Sequence, residues 1–168
     1  MDHPPAPPAT LQRGPVAGPA AIAAQVQAML SAGRQRLICA DRDLGIFGLS
    51  GRATVESLKA FLLARRIARI QCLVDDVEWL DRRADRLRAL QRLLPHALEL
   101  RVAAADDPVG TDSFVAVDTL WLLDAAAAHT TGTAALTDER ARVQAAIAGF
   151  DRRWQMAGHN LPVSLLGV

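Results

Sequence analysis

The chain has 168 residues, of which 51% are hydrophobic and 22% are charged, a balance typical of one soluble globular domain. Its 19 basic and 18 acidic residues give a net charge of +1, so no overall field attracts nucleic acid or anionic lipid. No apolar run reaches the roughly 18 residues of a membrane span, and the first residues lack the pattern of a secretory signal. We therefore expect a cytoplasmic protein without a membrane partner.

The N-terminal segment has an unusual composition. Six of the nine prolines fall within the first 19 residues, with alanine and glycine between them. Such a segment buries too little apolar surface to offset the entropy of ordering. The composition predicts a disordered leader over residues 1–17 and a single domain over residues 18–168.

The first half of the domain alternates helical and strand patterns. Apolar runs predict strands at 36–40, 70–74 and 97–103. Helical spacing predicts a helix over 20–32, a second helix capped by Ser50, and a continuous third helix from Leu80 to Leu94 that Pro95 stops. Strands that alternate with helices imply parallel pairing through helical crossovers.

The second half differs from this alternation. Residues 113–117 and 120–123 predict an antiparallel hairpin around a turn at Asp118 and Thr119. A flexible stretch to Thr131 follows, and Thr137 begins the last long helix. The tail, residues 161–168, is apolar enough that we expect it to dock on the domain.

Candidate binding residues lie directly after the first strand, at Asp41, Arg42 and Asp43. Ligands of parallel α/β proteins gather at the carboxyl ends of strands. The alternative is structural, with Arg42 paired to a carboxylate and Asp43 accepting from loop backbone. His96, just before the third strand, is either a further site residue or a cation at a helix end.

Other polar residues favour structural roles. Asp75 and Asp76 are either cation ligands or partners of a helix dipole, and His129 and His159 are predicted surface groups. Two cysteines in apolar runs, Cys39 and Cys72, are predicted to be buried and reduced. Because zinc spacing, phosphate loops and dinucleotide fingerprints are missing from the sequence, we predict no metal and no cofactor.

Several segments together resemble a bacterial family of phospholipase-D-like domains of unknown function, over roughly 35–168. The segments that carry the resemblance are Asp41-Arg42-Asp43-Leu44 with Gly48-Leu49, 61–66 leading into Arg69-Ile70, Leu87, Leu90 and Leu93 before His96, 112–118, and Phe150 and Trp154 before 165–168. The resemblance implies an α/β domain, with a mixed sheet and helices on both faces, equal to one half-unit of a phospholipase-D-like enzyme. Such enzymes build their site from two halves, fused in one chain or supplied by a homodimer.

Enzymes of that type carry the pattern His-x-Lys-x-x-x-x-Asp, with the imidazole as nucleophile and the lysine neutralising phosphoryl oxygens. At the corresponding positions this sequence has Thr111, Ser113 and Asp118. Only the aspartate agrees, so the resemblance implies a degenerate site without a catalytic residue. Asp118 is then either a remaining ligand-binding residue or a turn former.

Three functional hypotheses follow. The first is a non-catalytic module that binds a protein partner or a small anion through Asp41, Arg42, Asp43, His96 and Asp118, and that dimerises through the Asp41 loop and Ser113–Leu123, including Trp121 and Leu122. The second is an enzyme with a non-standard site at Asp41, Arg42, Asp43 and His96. The third is a nucleic-acid-binding domain derived from a nuclease, which the charge disfavours because Glu78, Asp81 and Asp85 offset several arginines.

Overall fold

Strand β2 (Arg36–Ala40) lies near the middle of a seven-stranded mixed sheet with the order β1-β7-β6-β5-β2-β3-β4. The computed structural model describes residues 10–159 and 161–162. The other strands are β1 (Gly14–Ala17), β3 (Arg69–Val74), β4 (Leu98–Val102), β5 (Phe114–Val117), β6 (Trp121–Asp124) and β7 (Thr133–Thr137). The helices are α1 (Pro19–Ala32), α2 (Arg52–Ala64), α3 (Val77–Arg83), α4 (Asp85–Leu93), α5 (Ala128–Thr131) and α6 (Arg140–Met156), with a short 3-10 helix at Gly45–Phe47.

The pairing follows the hydrophobic pattern. Strands β2, β3 and β4 are parallel, whereas β5 pairs antiparallel with β2 and with β6. Alternate residues of β2 point to opposite faces, so Leu37 and Cys39 pack against the layer of α1, α2 and α4, while Ile38 and Ala40 pack against α6. The predicted mixed-sheet α/β fold with helices on both faces is confirmed.

The predicted disordered leader is wrong at its C-terminal end. Residues 14–17 form edge strand β1, which pairs antiparallel with β7, and Val16 is buried in the core. Proline is tolerated on an edge strand because its missing N–H need not enter the ladder. Residues 1–9 lie outside the described part of the chain.

Three further local predictions need correction. The third helix is two helices, α3 and α4, that meet at Ala84. Helix α2 has Gly51 at its N-cap, without a side-chain cap, so Ser50 does not cap it. The stretch predicted as flexible, up to Thr131, contains α5, and strand β7, which follows it, was missed by the sequence analysis.

The chain end docks where it is described. The backbone N–H of Leu161 donates to the carbonyl of Leu100 at 2.7 Å, and Leu161 packs against the core. The rest of the predicted docking tail, residues 163–168, lies outside the described residues. Among the helices that the structure describes, none is long and apolar enough to cross a membrane.

Candidate functional site

One edge of the sheet brings together polar residues from distant parts of the sequence. Strands β2 and β3 end at this edge with Asp41 and Asp75, and β5 begins there with Ser113. Strand β6 runs parallel to β2 and ends at the same edge, so α5, which follows it, carries His129 there. We call this the carboxyl edge.

Asp41, Ser113 and His129 form a hydrogen-bonded cluster, named here the Asp41 cluster. The Oγ of Ser113 donates to Oδ1 of Asp41 and lies 2.7 Å from Nε2 of His129. The same Nε2 lies 3.1 Å from Oδ1 of Asp41. The Asp41 side chain is fully buried and Ser113 is 1% exposed, while the second carboxylate oxygen of Asp41, Oδ2, is buried and accepts no hydrogen bond from the described residues.

The proton positions in this cluster follow from its geometry. When Asp41 is ionised, its carboxylate only accepts hydrogen bonds, so the His129 tautomer that satisfies it carries its proton on Nε2 and its lone pair on Nδ1. Ser113 in turn gives its own proton to Asp41. In a serine-hydrolase triad the histidine nitrogen next to the serine accepts that proton and the aspartate binds the other ring nitrogen. The Asp41 cluster differs from that arrangement, because Ser113 and Nε2 of His129 both contact the same carboxylate oxygen.

A cleft of about 470 Å³ opens beside the Asp41 cluster. Its lining includes the half-exposed His129, the exposed Arg42, and Trp79 and Ile46 as apolar surface. Arg42 makes no ion pair with a carboxylate of the described residues. Asp43 also lines the cleft, but its Oδ1 accepts the N–H of Gly45 at 2.8 Å, as its structural alternative predicted.

The walls of the cleft are held by carboxylates. Both oxygens of Asp75 accept backbone N–H groups, from Val109 and Gly110, at 2.8 Å each. Asp76 caps α3 by accepting the N–H of Glu78 at 2.8 Å. Asp76 therefore has the helix-start role that was weighed against cation binding, whereas Asp75 holds the loop at 109–110 and not a helix. Among the described residues, no group of three or more His, Cys, Asp or Glu is arranged to hold a metal ion.

The loop before β5 is held by Arg153 of α6. Its guanidinium bonds Asp107 at 3.1 Å and Asp112 at 3.0 Å. Partial burial lowers the pKa of Arg153, but the hydrogen bonds to Asp112 and Asp107 outweigh this effect, so the pKa is raised. This anchor fixes the approach to Ser113 from the face of the sheet that α6 covers.

Asp118 lies at the opposite edge of the sheet, four strand residues after Ser113. Its carboxylate accepts the backbone N–H groups of Arg34, Gln35 and Arg36 at 2.8, 2.9 and 2.8 Å, and its backbone is left-handed with φ +49°. Asp118 therefore has the role of a turn former, and it does not lie near Asp41.

His96 is also separated from Asp41. It is exposed in the loop between α4 and β4, at the edge where β4 begins. The predicted set of Asp41, Arg42, Asp43 and His96 therefore does not meet at one place. The histidine that joins Asp41 is His129, which was predicted as a surface group because a four-residue helix in an Ala/Thr-rich stretch leaves almost no periodic signal.

The apolar patch predicted for dimerisation is buried within the chain. Leu122 is 4% exposed and packs in the core under α6, and the half-buried Trp121 packs against the core on the other face. The cause is topological, because β6 lies inside the sheet between β5 and β7.

Comparison with solved structures shows which fold this is. Similar folds are NucT from Helicobacter pylori, with a TM-score of 0.61 and 10% identity over 88% of this chain and 98% of that chain, and Nuc from Salmonella typhimurium, a phospholipase D family member, with a TM-score of 0.52 and 12% identity over the same shares. TrmBL2, an archaeal chromatin protein whose structure shows a mode of DNA binding, has a TM-score of 0.63 and 16% identity over 88% of this chain. This chain spans 55% of TrmBL2. The fold is phospholipase-D-like.

The sequence also identifies a family. The profile described as Domain of unknown function (DUF7931) matches residues 18–163, and the chain belongs to that family. Among curated proteins, none matches the sequence.

Proposed function

We propose that this chain is a non-catalytic phospholipase-D-like module that binds a small anion in the cleft beside Arg42. The observation that carries the proposal is the Asp41 cluster. Ser113, at the position where the resemblance implies a catalytic lysine, is buried and hydrogen-bonded to Asp41 and His129. A serine there supplies no positive charge to a phosphoryl group.

In the proposed binding role, His129 is a positioning residue that lines the cleft and not a nucleophile. A nucleophilic or basic imidazole needs a lone pair directed at the substrate or at the proton that it removes. The Nε2 of His129 is instead engaged by a buried carboxylate and a buried hydroxyl, so Nδ1 is the nitrogen without a contact in the Asp41 cluster. The cluster thus positions α5 and the cleft wall, and it has no free base at Nε2.

The lining of the cleft supports an anionic ligand with an apolar part. Arg42 offers a guanidinium that can bind a carboxylate or phosphate with two parallel hydrogen bonds. Trp79 and Ile46 offer apolar surface next to it. A volume of about 470 Å³ is in the range of small-molecule sites, which combine apolar walls with a few polar anchors.

Calorimetric titration with inorganic phosphate and with adenosine monophosphate tests the binding. We expect heat of binding for at least one of the two probes, and a loss of about tenfold in affinity for Arg42→Ala, about 1.4 kcal/mol. Arg140→Ala is the matched control, since Arg140 is an exposed arginine on α6 away from the cleft. Equal affinities of the two variants, or no binding of either probe, would refute the anion site.

The non-catalytic part has its own assay. We expect no hydrolysis of bis(p-nitrophenyl) phosphate by the purified protein. Turnover that disappears in His129→Ala would establish an enzyme and overturn this part of the proposal.

The homodimer implied by the resemblance stays a prediction. An exposed patch around Trp121 and Leu122 does not support it, because those side chains pack within one chain. Light scattering at micromolar concentration decides between one and two copies of the 18.0 kDa chain.

A further inference from the structure

The near-zero net charge conceals a strong asymmetry along the chain. Residues 19–97 contain thirteen of the 19 basic residues but only eight of the 18 acidic ones. Residues 98–168 contain five basic and nine acidic residues. Helices α1 to α4 all belong to the basic part. The acidic residues of the second part lie mostly in strands and loops outside α6, which itself carries four arginines and one aspartate.

Four arginines of the basic part gather at the edge of the sheet where β2 and β3 begin, opposite the carboxyl edge. We call Arg34, Arg65, Arg66 and Arg69 the amino-edge cluster. Arg34 follows α1 and precedes β2, and the other three occupy the connection from α2 to β3. Strands β2 and β3 are neighbours, with Arg36 opposite Arg69, so the two connections lie side by side. All four residues are exposed.

The cluster lacks compensating carboxylates. None of its four guanidinium groups forms an ion pair in the part of the chain that the structure describes. Two carboxylates lie near the start of β2, and both have partners. Asp118 accepts three backbone N–H groups, and Asp151 pairs with Arg36 at 2.6 Å. Arg69 donates to the carbonyls of Arg66 and Ala68 and so holds the loop.

Clefts on both sides of α2 extend this positive surface. Arg34 and Arg65 line a cleft of about 330 Å³ between α1 and α2, together with the hydroxyl-bearing Ser31 and Ser57. On the other side of α2, Arg52, Lys59 and Arg86 line a cleft of about 420 Å³, where Glu56 is the one acidic lining residue. Helix α2 is about 20 Å long, so the cations are spread over a distance that several phosphates of a strand would occupy.

We propose that the amino-edge cluster and the clefts beside α2 bind the phosphate backbone of a nucleic acid, without reading its sequence. An alternative role for these arginines is to stabilise the negative C-terminal ends of the dipoles of α1 and α2. One cation at each helix end is enough for that role, and the cluster has four. Arginine recognises phosphate oxygens bidentately, and spaced cations in concave surfaces match a chain of phosphates better than one small anion. No aromatic side chain lines either cleft apart from Phe61, so stacking on bases contributes little.

The carboxylates that disfavoured nucleic acid in the sequence lie away from the amino-edge cluster. Glu78, Asp81 and Asp85, which offset arginines in the sequence, lie on α3 and the start of α4. Glu78 pairs with Arg82 within α3, and Asp81 pairs with Arg88 of α4, so these two carboxylates neutralise arginines outside the amino-edge cluster.

Fluorescence anisotropy with a labelled 20-nucleotide single strand and the matching duplex tests the inference, at salt concentrations from 50 to 200 mM. The double variant Arg34→Ala, Arg65→Ala should weaken binding at least about tenfold and lower the slope of log K against log salt by about 2. The control is Arg140→Ala, Arg152→Ala, which removes the same charge from exposed positions of α6 and should change affinity less than about threefold, as screening limits distant charges.

Two outcomes would overturn the inference. One is no binding at 50 mM salt, or equal weakening by both double variants. The other is binding to vesicles of phosphatidylserine and phosphatidylcholine in place of nucleic acid, abolished by Leu63→Ser, Ile67→Ser. Leu63 and Ile67 are each 61% exposed beside the cluster, so a lipid surface would depend on them, whereas binding to phosphates would not.

Discussion

The Oγ of Ser113 and the Nε2 of His129 lie 2.7 Å apart, although Ser113 precedes β5 and His129 belongs to α5, beyond β6. Both atoms also contact the buried carboxylate of Asp41, the residue that follows β2. Three segments of the chain are thus joined through one oxygen, Oδ1 of Asp41. The cluster links the position of α5, and hence one wall of the cleft, to strand β2 near the middle of the sheet.

His129→Ala should destabilise the protein, because a fully buried carboxylate loses one of its hydrogen-bond donors. The expected loss is about 2 kcal/mol, which for a chain of this size lowers Tm by about 4–8 °C. His96→Ala is the control, since His96 is exposed and should leave Tm within about 1 °C. Equal Tm values for the two variants would show that the contact is not stabilising.

The regular part of the fold could be predicted from the sequence, since periodicity reports burial. The pattern of β2 gave the observed strand, Arg36–Ala40, with the observed bounds, because each of its last four residues is buried on one face or the other. Helix α1 and the β5–β6 hairpin were also correctly expected.

Edge strands and short helices could not be predicted in this way. Only Val16 of β1 is buried, so a single apolar residue among Gly, Pro and Ala carries the whole signal. In β7 the core-facing residues are Ala134 and Leu136. Two alternating apolar residues in a five-residue segment give too weak a pattern to distinguish a strand from a loop.

The candidate site shows the same limit. Asp41 was found because it follows a strong strand pattern. Ser113 was noted only because it occupies the lysine position of the His-x-Lys pattern. Its partner His129 could not be identified from the sequence, because it reaches the carboxyl edge only through the antiparallel pairing of β5 and β6. Which histidine reaches a buried aspartate depends on topology, which sequence spacing does not report.

Asp118→Ala should be more destabilising than Asp118→Asn. The alanine removes an acceptor for three backbone N–H groups and stands at φ +49°, for an expected loss of about 3 kcal/mol. Asparagine tolerates left-handed backbone and keeps one acceptor oxygen, so about half of that loss is expected. Urea unfolding midpoints measure the difference, and equal midpoints would contradict the turn-forming role.

Cys39 should resist alkylation in the folded protein. Cys39 and Cys72 are register partners in β2 and β3, and both are free and fully buried. Burial, and then the neighbouring Cys72, raise the pKa of the Cys39 thiol well above its ordinary value, so the reactive thiolate is scarce. Native protein treated with iodoacetamide at pH 8 should stay unmodified at this residue, whereas unfolded protein should react fully.

The same shift predicts a loss of stability in alkali. Because the folded-state pKa of Cys39 is raised, the unfolded chain releases this proton first as the pH rises. The contribution to stability is complete below the unfolded-state pKa of about 8.5 and is lost progressively above it. The urea midpoint of Cys39→Ala should therefore fall less between pH 8 and pH 10 than that of the unaltered protein; parallel falls would exclude Cys39 as the cause.

Removal of residues 1–17 should destabilise the domain, contrary to what their composition predicts. The truncation deletes β1, whose Val16 is buried and whose four residues pair with β7. Burial of a valine contributes about 1.5 kcal/mol or more, and the exposed edge of β7 would offer a new pairing surface. Truncation of residues 1–9 is the matched control, because it leaves β1 intact. We expect the longer truncation to lower Tm by more than about 5 °C and the shorter one by less than about 2 °C, both measured by circular dichroism. If both truncations unfold at the Tm of the full chain, β1 contributes nothing to the stability of the sheet.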